Sequence, residues 1–535
     1  MKYKRILVLL AVAFLFGACG KEIKQKNEVT TDTIVTLSPS PEQRITPMPF
    51  VTVEVQPAQE EAATPEPEIT PEGIKDEDDE PEVAAPEVAA PTAIPTESIP
   101  IPTPTDTPTK EVNPLDGAYW RDLYRDDNTV LLTTTEIALI NQENFESEGT
   151  GLVRVSDMEN IASADIIRMI ESYSFPKKNY YDNKAVTDSV KTEIFENRNM
   201  EVLKSAEYIE PAYGILIQNA DLRSFPAEKP LTASKNGRYD YLQETVLLLN
   251  ETVVVLHYSL DGEWCFVQAE NYFGWIPEAL VAYCERAYME VWYDAMSDAE
   301  NPDVLLVTKN MEWRTEDSLL QLRMGTKLKY EEEENGNLTV YLPVRDEEKR
   351  LQLKTYRVSS EDTVYPHFHP GYLPYTRNNV IRLATDLLDT PYAWGDSLTY
   401  DTVYAYDSEI GMDCSSTIGA VYRCFGFVLP RNTGAQRKMA WSGEMVSGYG
   451  SSERKEFLKQ TDIGTLLYSL GHVMLYLGES EGEYYVLHNT TTEALPDGSE
   501  ESFYRCVITS MSLGEKGNTI LERLLETKTP VKTKG

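Results

Sequence analysis

Cys414 opens an apolar segment in Met412-Asp413-Cys414-Ser415-Ser416, and His472 opens a second one in Gly471-His472-Val473-Met474. Of the six cysteines and five histidines in the chain, these two have surroundings suited to chemistry. Ile418, Val421, Tyr422 and Phe425 follow the cysteine at three- and four-residue steps, which predicts an amphipathic helix over 414–426 capped by Asp413. A thiol in the first turn of a helix faces unpaired N–H groups and the positive end of the dipole, and both favour the thiolate. A buried structural cysteine, the commoner fate of this residue, is usually flanked by apolar neighbours. Asp413, Ser415 and Ser416 are not such neighbours.

The histidines extend the pattern. Val473 to Leu477 and Tyr484 to Leu487 read as two strands joined by Gly478-Glu479-Ser480-Glu481-Gly482. A turn centred on Ser480 makes His472 and His488 cross-strand neighbours on one face. His472 is then the base, and His488 orients it through its other ring nitrogen. This is the nucleophile, base and orienter logic of a thiol peptidase. Either histidine alone is more often a solvated or satisfied side chain than a catalyst; His257, His367 and His369 lack the paired spacing and read as structural or surface residues. Cys265 and Cys424 lie in apolar runs and read as small core residues. With Cys284 and Cys506 they show no spacing of a disulfide framework, and no CxxC or HExxH pattern is present, so neither a metal nor a cofactor is expected.

The rest of the chain must carry and position this pair. Lys2, Lys4 and Arg5 precede an apolar run from Ile6 to Phe16, too short to span a bilayer with ease, and Phe16-Gly17-Ala18-Cys19 follows. The arrangement resembles a bacterial lipoprotein signal over 1–19 with Cys19 as the lipid-modified residue. The alternative is an ordinary signal peptide with Cys19 incidental, and both take the chain out of the cytoplasm. Residues 20–113 are rich in Pro, Glu and Thr and poor in aromatics, a composition that stays disordered and serves as a tether. The net charge of −38 offers no basic stripe and excludes nucleic acid as a partner.

Globular sequence begins near Leu115. A small mixed N-terminal region is expected over 114–206, with Ala164 to Ser172 helical in period. Val253 to Leu256, Trp264 to Val267 and Gly274 to Ile276 are short strands split by turn signals, which predicts a small all-β barrel over 207–287. A second barrel is expected over 288–365, with strands at Thr326 to Leu328 and Leu338 to Leu342. The last domain, 366–535, starts with a helix after Asn378-Asn379 whose apolar positions are Val380, Ile381, Ala384, Leu387 and Leu388.

Four motifs together resemble the NlpC family of papain-like murein endopeptidases: Pro391-Tyr392-Ala393-Trp394-Gly395, Asp413-Cys414-Ser415-Ser416, Leu429-Pro430-Arg431-Asn432-Thr433 and Gly471 to Gly478. Asp221-Leu222-Arg223-Ser224-Phe225-Pro226 and Asp261-Gly262-Glu263-Trp264 narrow the likeness to members with Src-homology-3-like barrels ahead of the catalytic domain. The resemblance runs from about Leu115 to Val531. It implies a multidomain chain with an α+β papain-like catalytic domain, and hydrolysis of the γ-D-glutamyl–diamino-acid bond in peptidoglycan stem peptides. Cys414 matches the nucleophile, His472 the base and His488 the third polar residue. By analogy with members that process free murein peptides, the first barrel walls the cleft and reads an N-terminal L-alanine, with Glu251 and Tyr272 at the contacts. Tyr392, Trp394, Asp413, Ser415, Asn432 and Thr433 complete the substrate-binding set.

The chain departs from that pattern at three places. Asn432 stands where the peptide-processing relatives carry an aspartate for the free amine. Asp396 replaces the second glycine of Trp-Gly-Gly, and an insertion runs on to Gly411. The reading is a monomeric, membrane-tethered cysteine peptidase on the outer face of the cell membrane, acting on peptidoglycan or free murein peptides. The alternatives are a wall-binding adaptor without catalysis and a thiol amidase cutting the sugar–peptide link.

Overall fold

The first barrel is built on a seven-stranded antiparallel sheet. In spatial order its strands are Val281–Cys284, Ala212–Leu216, Thr252–Tyr258, Trp264–Gln268, Phe273–Pro277, Ala220–Arg223 and Gln243–Leu247. Alternation along Thr252–Tyr258 sends Val253 and Val255 inward to Leu222, Val267 and Ile276, while Val254 and Leu256 face outward. Outward residues are normally solvated, yet these are buried. The reason is that the helix Ser163–Glu171 lays Ile166 and Ile170 over them, and the helix Arg286–Ser297 adds Met289 and Tyr293. A strand covered on both faces needs β-branched residues at consecutive positions, hence the run Val253-Val254-Val255.

The computed structural model describes residues 113–298, 303–398 and 410–531. The signal segment with Cys19, almost all of the acidic linker and most of the insertion after Asp396 lie outside them.

The second barrel is a five-stranded antiparallel sheet in the order Leu351–Val358, Leu338–Arg345, Lys327–Glu332, Leu305–Val307 and Phe368–Pro370. Leu305, Val307, Leu328, Val340, Val358 and Phe368 fill its core. Two limits differ from the sequence reading. Residues 289–297 form the end of a helix packed on the first barrel, because Met289, Trp292, Tyr293 and Met296 recur at helical spacing and bury one face. Phe368–Pro370, assigned to the last domain, instead closes the second sheet by pairing with Leu305–Val307.

The last domain places a six-stranded antiparallel sheet between two layers. Its order is Ser442–Met445, Glu526–Thr529, Leu466–Ser469, His472–Ser480, Glu483–Ala494 and Glu500–Ser510. On one face lie the helices Arg377–Asp386 and Cys414–Arg423, with Ile418 and Val421 against Val473, Leu475 and Leu487. On the other, Met474, Tyr476 and Val486 meet Leu458 and the segment holding Leu521 and Leu524. The first of these helices starts one turn earlier than Asn378-Asn379 suggests, since the Thr376 hydroxyl accepts from Asn379 N–H at 3.1 Å and caps it.

The N-terminal region divides its loyalty. Ser163–Glu171 belongs with the first barrel, but Gly117–Tyr124 and Thr134–Glu146 sink Trp120 and Ile137 into the core of the last domain. Trp120 is fully buried there, Tyr119 Oη donates to Ser480 Oγ at 2.9 Å, and Gly478 leaves room for the ring. With φ +128° and Trp120 where a Cβ would stand 3.2 Å away, position 478 admits glycine alone without strain.

Candidate active site

Cys414 is the first residue of the helix Cys414–Arg423, as its periodicity predicts. The Asp413 carboxylate accepts from Ser416 N–H at 3.0 Å, and the Ser416 hydroxyl returns a bond to Asp413 N–H at 3.0 Å, a reciprocal cap. The thiol lies 3.8 Å from Thr433 Oγ1 and faces the backbone N–H of Val473, the residue after His472. Helix start and burial pull its ionisation in opposite directions, and burial prevails. Removal from water, with the Asp413 charge next in weight, pushes the thiol up to about 11. The resting cysteine is therefore a thiol.

Behind the thiol runs a buried ion network. Arg431 donates to both Asp413 carboxylate oxygens at 3.1 and 2.7 Å, to Ser415 Oγ at 2.9 Å, and to Thr245 of the first barrel. Asp396 accepts from Asp413 N–H at 2.8 Å and from Ser416 Oγ, with Arg431 at 3.4 Å and Arg323 of the second barrel at 4.0 Å. Burial drives both carboxyls up; the guanidinium and its hydrogen bonds outweigh this at Asp413, which ends below its ordinary value, but not at Asp396. Asp396 has φ +59°, the left-handed backbone a glycine would hold without strain, so its carboxylate reaches the cap from a glycine's position.

His472 Nε2 stands 2.8 Å from His488 Nδ1, and His488 Nε2 stands 3.0 Å from Thr509 Oγ1. The register differs from the symmetric turn at Ser480. The strands close on a two-residue turn, Glu481-Gly482, with φ +53° and +83°, and Leu477 bulges out of the ladder. Leu475 pairs with Leu487, so the imidazoles meet on a diagonal instead of face to face. Burial is the main cause that lowers both rings, His472 to about 4, and the Arg523 guanidinium adds to it. Arg523 itself donates to Glu493 at 2.6 Å. Both histidines are neutral at neutral pH, the form a base requires.

The first barrel contributes two members of a polar triad, and Asn432 of the last domain is the third. Tyr272 Oη donates to Glu244 at 2.7 Å and accepts from Asn432 Nδ2 at 3.2 Å. Burial raises the Glu244 carboxyl. Beside it, Trp394 and Tyr392 of the last domain meet Tyr239, with Tyr241 next to Trp394, at centroid separations of 6.2–6.3 Å. Trp394 keeps 45% of its surface exposed, so this aromatic group is open to a ligand.

A thiol at a helix start, beside a strand bearing a histidine chain, is the geometry that comparison with known proteins bears on. Residues 389–502 match the NlpC/P60 family, and residues 228–277 match the SH3 domain of SH3b1 type. The last domain is an NlpC/P60 domain. The chain is 24% identical over 255 residues to the γ-D-glutamyl-L-lysine dipeptidyl-peptidase of Bacillus cereus (strain ATCC 10987 / NRS 248), covering 44% of this chain and 65% of that one. The chain thus spans just under two thirds of that relative's length. The solved NlpC/P60 endopeptidase from Photobacterium damselae subsp. piscicida superposes with a TM-score of 0.60 at 17% identity, over 79% of this chain and 98% of its own, a likeness of fold. An NlpC/P60 family protein from Bacillus cereus ATCC 10987 gives a TM-score of 0.40 at 18% identity, over 60% of this chain and 99% of its own.

The SH3b barrel and the NlpC/P60 domain together bring Tyr272, Tyr392, Trp394, Asn432 and Thr433 around the thiol or the two groups just described. Three other sequence candidates are placed differently. The Asp413 and Ser415 side chains both accept from Arg431, which makes them supports of the helix start. Glu251 lies away from Tyr272, in a cavity at the back of the cysteine helix. Glu244, seven positions earlier, holds the place beside Tyr272. In the strand Gln243–Leu247 alternate residues share a face, and Gln243 and Thr245 turn to the last domain at Gly395 O and Arg431 while Glu244, between them, turns to Tyr272. Thr509 and Arg431 complete the site, and nothing in their spacing announces them.

Proposed function

We propose that the chain is a cell-envelope cysteine endopeptidase that hydrolyses the γ-D-glutamyl–diamino-acid bond of peptidoglycan stem peptides. The observation that carries the reading is the chain Thr509–His488–His472 on the strand whose Val473 N–H faces the thiol. If His472 Nδ1 is to take a proton, its Nε2 must bear the hydrogen and donate to His488 Nδ1; His488 then bears its hydrogen on Nε2 and donates to Thr509 Oγ1. A hydroxyl can accept, so one tautomer chain leaves the base lone pair free. Cys414 Sγ attacks the carbonyl carbon as its proton passes to His472, and backbone N–H groups at the helix start stabilise the oxyanion. The proton then passes to the leaving amine, and water hydrolyses the thioester.

Substrates with a free N-terminal amine are favoured. Glu244, with Tyr272 and Asn432, supports this: one half-buried carboxylate and two oriented dipoles suit an ammonium group. Asn432 supplies no second charge, so Glu244 carries the ionic part of recognition. Anchoring through Cys19 would hold the enzyme at the outer face of the membrane.

Digestion of L-Ala-γ-D-Glu-diamino-acid peptides and of intact sacculi, followed by mass spectrometry, tests the reading. Wild type should cut the free peptide, Cys414→Ala should cut neither, and Glu244→Gln should raise KM for the free peptide at least tenfold. If wild type leaves both substrates as intact as Cys414→Ala does, the peptidase reading fails. Cleavage of sacculi alone removes the free-amine part.

A further inference from the structure

The two barrels and the NlpC/P60 domain enclose a cavity of about 90 Å³ behind the cysteine helix, on the face opposite its apolar contacts. Arg323, Asp396 and Arg431 line it and pair with one another. Four further charges remain: Glu251 and Glu270 come from the first barrel, Lys327 from the second, and Arg423 from the last turn of the helix. Their ionisations respond to one another: Glu251 is raised by burial against the pull of Arg423 and Lys327, and Lys327 is raised by Tyr372, Glu270 and Glu251 despite its burial. Yet among the described residues no acid–base pair of these four closes to an ion pair of 4 Å or less. Tyr293 Oη donates to Glu270 at 2.7 Å, and Lys327 Nζ donates to Met296 O at 3.0 Å, which fixes the two ends.

Three lining residues, Asn250, Arg323 and Thr326, each hold a buried polar atom without a partner. Asn250 Oδ1 and Thr326 Oγ1 are unbonded, and their residues are 4% and 1% exposed. Hydrogen-bonding groups left unmet this deep are destabilising. Gly419, on the helix wall of the cavity, is equally telling, because a Cβ added there would meet nothing within 4 Å.

We propose that this cavity is a binding site for a small zwitterion, a free amino acid of about the size of L-alanine. The ammonium group would face Glu251, Glu270 and Asn250 Oδ1, and the carboxylate would face Lys327, Arg423 and Thr326 Oγ1. Size sets the class. At about 10–15 Å³ for each water-sized position, the cavity offers roughly six to nine positions, enough for a small amino acid and too few for a stem tripeptide. Because its walls come from three domains, an occupant joins both barrels to the helix that carries the thiol. It stabilises the assembled arrangement by mass action. The site stands apart from the peptidase reading, since binding is measured without turnover.

The experiment is calorimetric titration of the full chain with L-alanine, N-acetyl-L-alanine and L-alanine methyl ester. L-Alanine should bind saturably, and the two blocked compounds, each lacking one charge, should bind at least tenfold more weakly. Gly419→Leu fills the cavity and should abolish binding, while Gly419→Ala should retain it. Glu251→Gln, which changes no volume, should weaken binding at least tenfold and decides the matter if the leucine variant does not fold. Glu244→Gln, in the catalytic cleft, should leave this binding unchanged. Absence of saturable binding overturns the proposal, and so does binding that survives Glu251→Gln but is lost in Glu244→Gln.

Discussion

Replacing Thr509 by valine tests the histidine chain at the end farthest from the thiol. The substitution keeps the shape of the side chain and removes the oxygen 3.0 Å from His488 Nε2. His488 is 1% exposed and Thr509 3%, so no bulk water replaces it. An unmet N–H at that depth costs about 1–3 kcal/mol. His488 escapes the penalty by moving its hydrogen to Nδ1, where it meets His472 Nε2 at 2.8 Å. His472 must then carry its own hydrogen on Nδ1, the nitrogen that should accept from the thiol. At 1.4 kcal/mol per factor of ten, the competent tautomer is depleted roughly 5- to 150-fold, and kcat should fall by that factor. KM should not change, because Thr509 is buried behind the ring. Steady-state kinetics on the free peptide measures the fall, and nitrogen-15 shifts of the imidazoles report the tautomer directly. Thr509→Ser keeps the acceptor and should restore most of kcat. A valine variant within twofold of wild type, or a serine variant as slow as valine, refutes the reasoning.

Two more outcomes follow from the burial of charge around the thiol. With Cys414 pushed up to about 11, only about one molecule in 10⁴ holds a thiolate at pH 7, so inactivation by iodoacetamide should accelerate about tenfold per pH unit from pH 7 to 10; a plateau between pH 6 and 8 would mean a preformed ion pair. Arg431→Met leaves Asp413 and Asp396 buried beside each other and should lower the unfolding free energy by about 3–5 kcal/mol at pH 7, as read by urea titration. The Asp413 carboxyl is depressed in the folded wild type, so its contribution is full above the ordinary carboxylate value and is lost as pH falls through the depressed one. In the variant both carboxyls protonate earlier on acidification, and the deficit should narrow at pH 4. A deficit that widens toward acid contradicts the pairing.

The cysteine helix was legible in the sequence because its determinants are local: Asp413 caps it, and Ile418 and Val421 mark its face. The histidine pair was legible as a pair, since both residues flank one hairpin. Its register was not, because a single bulged residue, Leu477, moves every later partner and leaves no mark in composition. Glu244 and Glu251 are both acids near strand ends, and only the closing of the sheet decides which one reaches Tyr272. Arg431 and Thr509 act through distance in space. Arg431 bonds Thr245 from 186 positions away, a separation that no periodicity encodes. The ionisation of Cys414 failed to follow the helix dipole for a related reason: two other domains cover the helix start, and sequence does not reveal what lies on top.

The docking of Gly117–Tyr124 into the last domain has a consequence for how the protein comes to be made. When Trp120 leaves the ribosome, its seat against Tyr485 is complete only after some 360 further residues have emerged. Until then the indole has no native place, because the sheet that receives it is synthesised long after it. Contacts of such span tend to form late and make folding slow. A polypeptide trimmed to 389–502, the stretch that carries the family likeness, would emerge with the trench for Trp120 open to solvent. The sheet that carries His472 and His488 is thus closed by a helix far upstream in the chain, and domain limits drawn along the sequence cut through the core they are meant to isolate.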